Sequence, residues 1–413
     1  MNTSVSRKIH RVLPAALALA LVAPLPAMAD GFSDCLERLR AQAARRGISR
    51  ATFDAHAARL RPDPSVLELL DTQPEFSTPI WDYLAALVDD ERADDGRAML
   101  ERWRDVLQKV EERYGVDPAT VVAVWGVESN YGRSLGKRPL LVSLGTLACM
   151  GRRQDYFRGE FLDTLKIIDE GHIPVERLTG SWAGAFGQTQ FMPSTFLRLA
   201  VDFDGDGRRD LVDSAPDALA STANFLRKGG WKSGESWGFE VSLPPGFDTS
   251  LAGRRNRQPM SSWIARGVKL ATGGPLPAGD PDRALLLPAG PRGPAFLVGR
   301  NFNVIFSYNA AESYALAIAH LSDRLRGGGG FRTPWPTDDP GLSRAGRREL
   351  QRLLIARGHD IGEADGMVGD KTRKAIAREQ AALGRETDGR ASQRLLESLR
   401  AAAGVGAGEG SGP

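Results

Sequence analysis

The sequence predicts a mainly α-helical protein with a small β-containing region and a separate helical module at its C-terminus. Apolar residues recur at helical spacing over residues 91–114, and residues 118–127 are apolar on nearly every side, which favours a buried helix. Short apolar segments alternate with Pro and Gly turns over residues 238–300 and predict strands. A glycine run followed by several prolines predicts a linker over residues 327–340.

Spacing and capping signals set the expected bounds of the individual elements. Asp117 and Pro118 form an N-cap followed by a proline in the first helical turn, so a helix is expected to begin there. The other expected elements are helices at 32–46, 91–114 and 313–326, strands at 239–243, 284–287 and 295–298, two or three short helices within 341–400, and a disordered tail at 401–413.

Length and composition exclude several classes of protein. A chain of 413 residues allows two or three domains, and 42% hydrophobic with 25% charged residues excludes a largely disordered chain. The chain has 54 Lys and Arg against 51 Asp and Glu, which is too balanced to favour nucleic acid as a partner. With five His, two Cys and neither an HExxH nor a CxxC motif, a zinc amidase or peptidase is also disfavoured.

Residues 1–29 are predicted to be a cleaved secretory signal peptide, with three basic residues, an apolar stretch and an Ala27-Met28-Ala29 cleavage site. The alternative is an N-terminal membrane anchor, but the apolar stretch is shorter than the ~20 residues that a span needs. No lipobox precedes Cys35, so a periplasmic protein without a stable membrane anchor is expected. In that compartment Cys35 and Cys149 either form a disulfide or remain separate buried thiols.

Glu128 is the candidate catalytic residue. It lies at the C-terminal end of the apolar helix, just before Asn130 and Gly132, which are residues that end helices. Burial and the negative end of the helix dipole both disfavour a charged carboxylate, so the pKa of Glu128 is expected to be raised. A raised pKa suits a general acid. The alternative is a structural acid paired with a cation such as Arg133.

Residues 180–194 form a second candidate segment, rich in small residues, amides, a hydroxyl and aromatic rings. Amides and hydroxyls can hydrogen-bond to sugars, and aromatic faces can stack on sugar rings. The same composition also suits a tightly packed helix start, and the two interpretations are compatible.

Residues 202–213 match an EF-hand-like calcium loop, with Gly207 at the position of the sharp turn. The last position holds Asp213 instead of the usual Glu, so Asp217 could serve instead or as well. The alternative is an Asp- and Gly-rich surface turn, although so many carboxylates repel one another without a cation. The expected calcium ligands are Asp202, Asp204, Asp206, the Arg208 carbonyl, Asp213 and Asp217.

Three motifs together resemble the membrane-bound lytic murein transglycosylase B family, namely 128–132, 184–194, and Tyr308-Asn309 with 314–317. The resemblance extends from about residue 32 to residue 326, within an expected catalytic domain at 30–326. It implies a lysozyme-like helical core with additional α and β subdomains. It also implies cleavage of the β-1,4 bond between N-acetylmuramic acid and N-acetylglucosamine in peptidoglycan strands, which leaves 1,6-anhydromuramic ends.

The resemblance also implies roles for individual residues. Glu128 would act as general acid and then as general base, so that no second carboxylate and no catalytic cofactor would be needed; calcium would be structural. Phe225 stands where the family usually has Tyr, which keeps stacking but loses a hydroxyl. The residues expected to contact substrate are Tyr83, Ser181, Gln188, Gln190, Phe225, Tyr308, Asn309 and Tyr314.

Residues 341–400 resemble a three-helix peptidoglycan-binding domain, on the motifs at 348–354 and 365–369, at Gln380 and at Asp388-Gly389. Glu379 departs from the aromatic residue that often precedes the glutamine. On a linker, such a module would raise the local concentration of substrate at the catalytic body. The alternative is a helical cap without a ligand.

Two rival functions remain open at this point. A hydrolytic muramidase would need a second acid facing Glu128, and the sequence assigns none. A non-catalytic peptidoglycan-binding protein would tolerate the loss of Glu128.

Overall fold

The computed structural model describes residues 25–70, 77–277, 279 and 281–404. Residues 1–24 of the predicted signal peptide and residues 405–413 of the predicted tail lie outside the described residues. Helices dominate the fold, and the prediction of a mainly α protein is confirmed. Within the described ranges, no helix combines the length and the apolar character needed to cross a membrane.

The helices follow one another along the whole chain. Those of the body are α1 (Leu25–Arg45), α2 (Arg50–His56), α3 (Ile80–Leu87), α4 (Asp90–Arg102), α5 (Arg104–Tyr114), α6 (Pro118–Ser129), α7 (Leu140–Met150), α8 (Gln154–Asp169), α9 (Pro193–Leu199), α10 (Ala215–Lys228), α11 (Met260–Ala265), α12 (Arg300–Asn309) and α13 (Glu312–Leu325). Those of the C-terminal module are α14 (Arg344–Ala356), α15 (Asp370–Ala382) and α16 (Gln393–Ala402).

Two apolar cores hold the body together. The first surrounds α6, which packs against α13, α4 and α10 and whose residues 121–124 are fully buried. The second lies among α1, α2, α7, α8 and α9. A disulfide between Cys35 and Cys149, with Cα atoms 5.8 Å apart, joins α1 to α7 within this second core. Of the two states that the sequence left open, the structure shows the disulfide and not the separate buried thiols.

The single helix predicted over residues 91–114 is wrong. The chain forms α4 and α5 instead, because Trp103 between them leaves helical geometry with a ψ of 20°. Helix α4 packs on α6 and α13, whereas α5 packs mainly on α10. One straight helix cannot present its apolar stripe to both sets of partners, so the break follows from packing.

A small antiparallel sheet follows α10 and confirms the predicted β region. Its five strands are β3 (Gly238–Ser242), β4 (Arg257–Gln258), β5 (Lys269–Leu270), β6 (Arg283–Leu286) and β7 (Ala295–Val298). They pair in the order β4-β6-β7-β3-β5, and the two-residue strands β1 (Arg138–Pro139) and β2 (Thr179–Gly180) form a separate ladder. The central pair β6 and β7 is buried throughout, since it lies between the first core and a small core around Trp263.

The C-terminal module has its own apolar core, in which Leu350, Leu354 and Ile376 are fully buried. Gln351 accepts a hydrogen bond from the Gly366 N–H at 2.6 Å, and Gln380 accepts one from the Gly389 N–H at 2.9 Å. The two glutamines thus each fix one Asp-Gly turn. The last helix ends at Ala402, two residues beyond the boundary predicted for the disordered tail.

The segment predicted as a linker packs on the body. The Phe331 ring stacks on His320, with ring centroids 3.9 Å apart, and the Glu240 carboxylate accepts the N–H groups of Arg332 and Thr333 at 2.8 and 2.7 Å. The segment at 327–340 is therefore held on the body and is not a freely moving tether. The apolar side chains after the glycine run find a partner surface, which the composition of the segment did not indicate.

Candidate active site

Helix α6 places Glu128 at the edge of a groove. Its N-terminus is capped by Asp117, whose carboxylate accepts the Thr120 N–H at 2.7 Å, and its C-terminus ends where Asn130 adopts a left-handed conformation with a φ of 52°. Both ends agree with the prediction. The Glu128 side chain is half-buried and lines a groove of about 910 Å³. A carboxyl group in this position is accessible to a ligand and partly shielded from water.

Tyr314, in the first turns of α13, donates a hydrogen bond to Oε1 of Glu128. The tyrosine is 2% exposed. Its burial, together with the nearby charge of Glu128, raises the pKa of the Tyr314 hydroxyl well above its usual value. Because the hydroxyl therefore stays protonated, Tyr314 acts as a permanent donor to the carboxyl group.

Arg133, the cation that the sequence offered as a structural partner of Glu128, pairs with Asp95. Both terminal nitrogens of Arg133 donate to the Asp95 carboxylate on α4, the longer of the two bonds measuring 3.3 Å. Arg133 and Asp95 thus neutralise each other at the rim of the groove.

An aromatic cluster lies behind the glutamate. The ring of Tyr308 stacks on Tyr314 with centroids 6.2 Å apart, and Phe225 lies 4.5 Å from Tyr308. The Tyr308 hydroxyl donates to the Thr189 carbonyl at 2.7 Å, which ties α12 to the segment at 180–194. Tyr83 on α3 is partly buried and packs against the first core, which contains Tyr314. The structure therefore brings together the four aromatic residues that the sequence singled out.

The polar residues of segment 180–194 form hydrogen bonds within the segment and to neighbouring parts of the body. The Gln188 amide donates to the Val212 carbonyl at 3.1 Å, and the Gln190 amide donates to the Gly187 carbonyl at 2.8 Å. The Ser181 hydroxyl accepts the Ala185 N–H at 3.1 Å. The Ser129 hydroxyl of α6 donates to the Gln188 carbonyl, so the segment is fixed beside Glu128. Asn309 ends α12 on the exposed side of the cluster.

The Asp-rich loop brings three predicted ligands together. One carboxylate oxygen from each of Asp202, Asp204 and Asp217 lies within 4.8 Å of the others, which fits the hard oxygen ligands that calcium prefers. Asp213 does not join them, because its short side chain pairs with Arg177 at 3.0 Å. Asp217 lies in the first turn of α10 and closes the loop instead by accepting the Phe203 N–H at 2.7 Å.

Asp206 and Arg208 lie at the exposed tip of the loop. The Asp206 carboxylate accepts the Arg208 N–H at 2.8 Å, and neither residue belongs to the cluster of three carboxylates. Their place among the calcium ligands stays a prediction.

The groove also contains residues of the C-terminal module, which the sequence did not assign to the catalytic site. Arg344, Arg347 and Met367 of the C-terminal module line it opposite the end of α6. The basic run at 344–348 was the one available signal. It could not be assigned to the groove, because the docking of two domains leaves no periodicity or motif in a sequence.

A partly buried glutamate at the end of a helix, backed by aromatic rings in an open groove, defines a glycan-cleaving enzyme of lysozyme-like architecture. The comparisons with known proteins agree. The Transglycosylase SLT domain family matches residues 31–323, and the Putative peptidoglycan binding domain family matches residues 343–399.

Named relatives give the same result. Membrane-bound lytic murein transglycosylase B of Escherichia coli (strain K12) is 32% identical over 298 residues, which is 68% of this chain and 79% of that protein. SltB3 from Pseudomonas aeruginosa, in complex with NAG-anhNAM-pentapeptide, matches with a TM-score of 0.72 and 48% identity, over 89% of this chain and 99% of that chain. Escherichia coli SLT35, in complex with calcium, matches with a TM-score of 0.61 and 29% identity, over 72% of this chain and 92% of that chain.

The chain therefore belongs to the lytic murein transglycosylase family and is a lytic transglycosylase, an enzyme that cleaves glycosidic bonds of peptidoglycan. The lysozyme-like helical fold implied by the sequence resemblance is confirmed with it.

Proposed function

We propose that Glu128 alone supplies the acid and the base for cleavage of the β-1,4 bond between N-acetylmuramic acid and N-acetylglucosamine. The observation that carries this assignment is the hydrogen bond from the buried Tyr314 hydroxyl to Oε1 of Glu128 in an open groove. A carboxyl group held in one orientation and reachable from the groove is suited to transfer a proton.

In the first step, Glu128 donates its proton to the glycosidic oxygen as the bond from that oxygen to C1 of the muramic residue breaks. Because Oε1 already accepts the hydrogen bond of Tyr314, Oε2 is the oxygen suited to carry the proton. The bonding electrons leave with the N-acetylglucosamine oxygen. The 2-acetamido group of the muramic residue stabilises the electron-poor C1.

In the second step, the Glu128 carboxylate takes the proton from the C6 hydroxyl of the same muramic residue. The C6 oxygen then bonds to C1, which gives the 1,6-anhydro product and returns Glu128 to its protonated form. Water takes no part, so no second carboxylate is needed to activate it. Tyr314 stabilises the carboxylate that exists between the two steps.

The surroundings of Glu128 favour this route over hydrolysis. Among the described residues that line the groove, Asp365 is the other acid. Its carboxylate accepts the Met367 N–H at 2.7 Å and the Gln351 amide at 3.1 Å, so it is engaged in the turn of the module. An inverting or retaining hydrolase needs a free second carboxylate near the acid.

Mass spectrometry of the muropeptides released from purified peptidoglycan tests the assignment. The native protein is expected to release fragments one water lighter than hydrolysis products, and Glu128→Gln is expected to release none while keeping the native melting temperature. Fragments with a free reducing end would indicate a muramidase. Unchanged release by Glu128→Gln would overturn the role of this residue, and no release by either protein would indicate a binding protein.

We also propose that calcium binds between Asp202, Asp204 and Asp217, with Asp206 and the Arg208 carbonyl completing the set. The convergence of three carboxylates supports it, as does the calcium named in the structure of SLT35. The ion would offset the repulsion between these carboxylates and hold the loop onto α10, without a part in proton transfer.

The protein is proposed to act in the periplasm after removal of residues 1–29. The predicted signal peptide and the cell-wall substrate of the family support this location. The C-terminal module is proposed to bind peptidoglycan, on the basis of the family that its sequence matches.

A further inference from the structure

The groove that contains Glu128 is strongly basic. Two acids, Glu128 and Asp365, line it together with five basic side chains, which are those of Arg92, Arg133, Lys137, Arg344 and Arg347. Two of the five, Arg344 and Arg347, come from helix α14 of the C-terminal module. The module is thus part of the wall of the groove, and it contributes positive charge there.

Several of these cations already have partners in the protein. Arg133 pairs with Asp95, and Arg344 lies 3.4 Å from Glu91 and 3.6 Å from Asp95. Arg92 is 6% exposed and donates to the Gly126 carbonyl at 3.0 Å. The contacts of Arg344 hold the module on the body, whereas those of Arg133 and Arg92 lie within the body.

Arg347 differs from Arg344, the other arginine that the module contributes to the groove, because it forms no ion pair with the described residues. One of its terminal nitrogens donates to the Ala86 carbonyl at 3.1 Å, which orients the guanidinium group, but no carboxylate of the described residues lies within 4.0 Å of it. Its buried Nε has no hydrogen-bond partner there. Burial lowers its pKa, the charges of Asp89 and Asp365 oppose this, and those of Arg344 and Arg348 add to it. A bound anion would favour the charged form of this buried guanidinium group.

We propose that Arg347 binds a carboxylate of the peptide that the muramic acid of the substrate carries, so that the C-terminal module forms part of the substrate-binding site beside Glu128. This inference rests on the proposed function, which brings muramic acid into the groove. In an intact strand the lactyl carboxyl group of muramic acid is amide-linked to the peptide, so the carboxylates of the peptide are the anions that the substrate offers. An arginine with a fixed guanidinium plane is the side chain best suited to bind it.

The test compares peptidoglycan strands of one length whose peptides have free carboxylates with strands whose peptide carboxylates are converted to amides. The quantity measured is the ratio of kcat/KM on strands with free peptide carboxylates to kcat/KM on strands with amidated ones. We expect Arg347→Gln to lower this ratio about tenfold, since a hydrogen bond to a charged group contributes that much to binding. Arg347→Lys keeps the positive charge but lacks the planar guanidinium group, and we expect it to lower the ratio less than Arg347→Gln does.

Arg352→Gln is the matched control, because Arg352 is an exposed residue on the same helix. We expect it to leave the ratio unchanged. If Arg347→Gln lowered kcat/KM equally on both kinds of strand, Arg347 would only hold the module in place and the proposal would fail. Native values of kcat/KM on both kinds of strand would overturn the proposal as well.

The test of Arg347 and the test of the proposed function can fail independently of each other. If the native protein released fragments with free reducing ends, the role of Glu128 in an anhydro-forming reaction would be refuted, whatever the ratio for Arg347→Gln. If Glu128→Gln abolished the anhydro products and the ratio did not change, the inference about Arg347 alone would fall.

Discussion

Tyr314 donates a hydrogen bond to Glu128 across 186 residues of sequence. The two residues lie on α6 and α13, which pack directly against each other in the first core. Because Tyr314 is buried, its hydroxyl cannot turn towards water without disturbing that core. The packing of two helices thus fixes the orientation of the carboxyl group.

Removal of this hydroxyl tests its contribution. Tyr314→Phe keeps the ring and is expected to lower kcat about 10- to 100-fold with a smaller change in KM, because a hydrogen bond to the carboxylate is lost. Steady-state kinetics on a defined glycan strand measures both constants. Tyr156→Phe, at a tyrosine that is 40% exposed and outside the groove, is the control. Equal kcat values for Tyr314→Phe and the native protein would contradict the proposed role.

Calcium is expected to raise the melting temperature of the native protein, and a chelator is expected to lower it, because a ligand that binds only the folded state stabilises it. Asp204→Asn should abolish this shift, since it removes one of the three converging carboxylates. Asp213→Asn should retain it, because Asp213 pairs with Arg177. Differential scanning fluorimetry with and without calcium gives the comparison. A shift that disappeared in Asp213→Asn alone would reverse the assignment of ligands.

The disulfide is expected to stabilise the body. It links residues 114 positions apart, and such a bond restricts the unfolded chain strongly. The double variant Cys35→Ser with Cys149→Ser should lose roughly 2–5 kcal/mol of unfolding free energy. Denaturant unfolding of the native protein, oxidised and reduced, provides the same comparison without a substitution. Identical midpoints in both states would show that the bond contributes nothing to stability.

The docking of the module is expected to weaken in acid. A hydrogen bond from Arg348, opposed by burial and assisted by the charge of Arg344, lowers the pKa of Glu91 on α4. A carboxyl group whose pKa is lowered by docking stabilises the docked state fully at any pH above its ordinary pKa. This contribution is lost as the pH falls through the lowered pKa. Docking should therefore be constant between about pH 5 and 8 and weaken below about pH 4.

Hydrogen exchange at the Arg344 N–H measures this docking, because that group donates to Asp89 at 2.7 Å across the contact. Glu91→Gln at neutral pH should accelerate the exchange up to about fivefold, equivalent to about 1 kcal/mol, since Glu91 is partly exposed and solvent screens the pair. Glu101→Gln on the same helix removes a pair with Arg104 that lies within the body and should have no effect. Equal acceleration by both variants would argue against an electrostatic contact.

The sequence predicted those features that depend on local signals. The N-cap at Asp117, the end of α6 before Asn130 and the position of Glu128 follow from capping residues and apolar periodicity. The three central strands were predicted to within one residue, because Pro and Gly turns bound them. The family resemblance then placed Tyr308 and Tyr314 among the residues expected to contact substrate, and the hydrogen bond from Tyr314 to Glu128 emerged only from the structure.

Features that depend on tertiary packing were not predicted. The break at Trp103 exists because α4 and α5 pack on different helices, and the helical pattern runs through it unchanged. The position of Asp213 depends on Arg177, which lies outside the loop motif. The entry of Arg347 into the groove requires the packed segment at Phe331 and the contacts between α14 and α4. Contacts of this kind between distant parts of the chain have no local signature.

The central claim is that Glu128 forms the product without water. The most direct test is the reaction of the native protein with purified peptidoglycan in water enriched in oxygen-18, followed by mass spectrometry of the released muropeptides. If the C6 hydroxyl attacks C1, the products should carry no heavy oxygen at the muramic C1 and should end in the anhydro form. Heavy oxygen at C1 of a free reducing end would show that water attacks, and it would contradict the account.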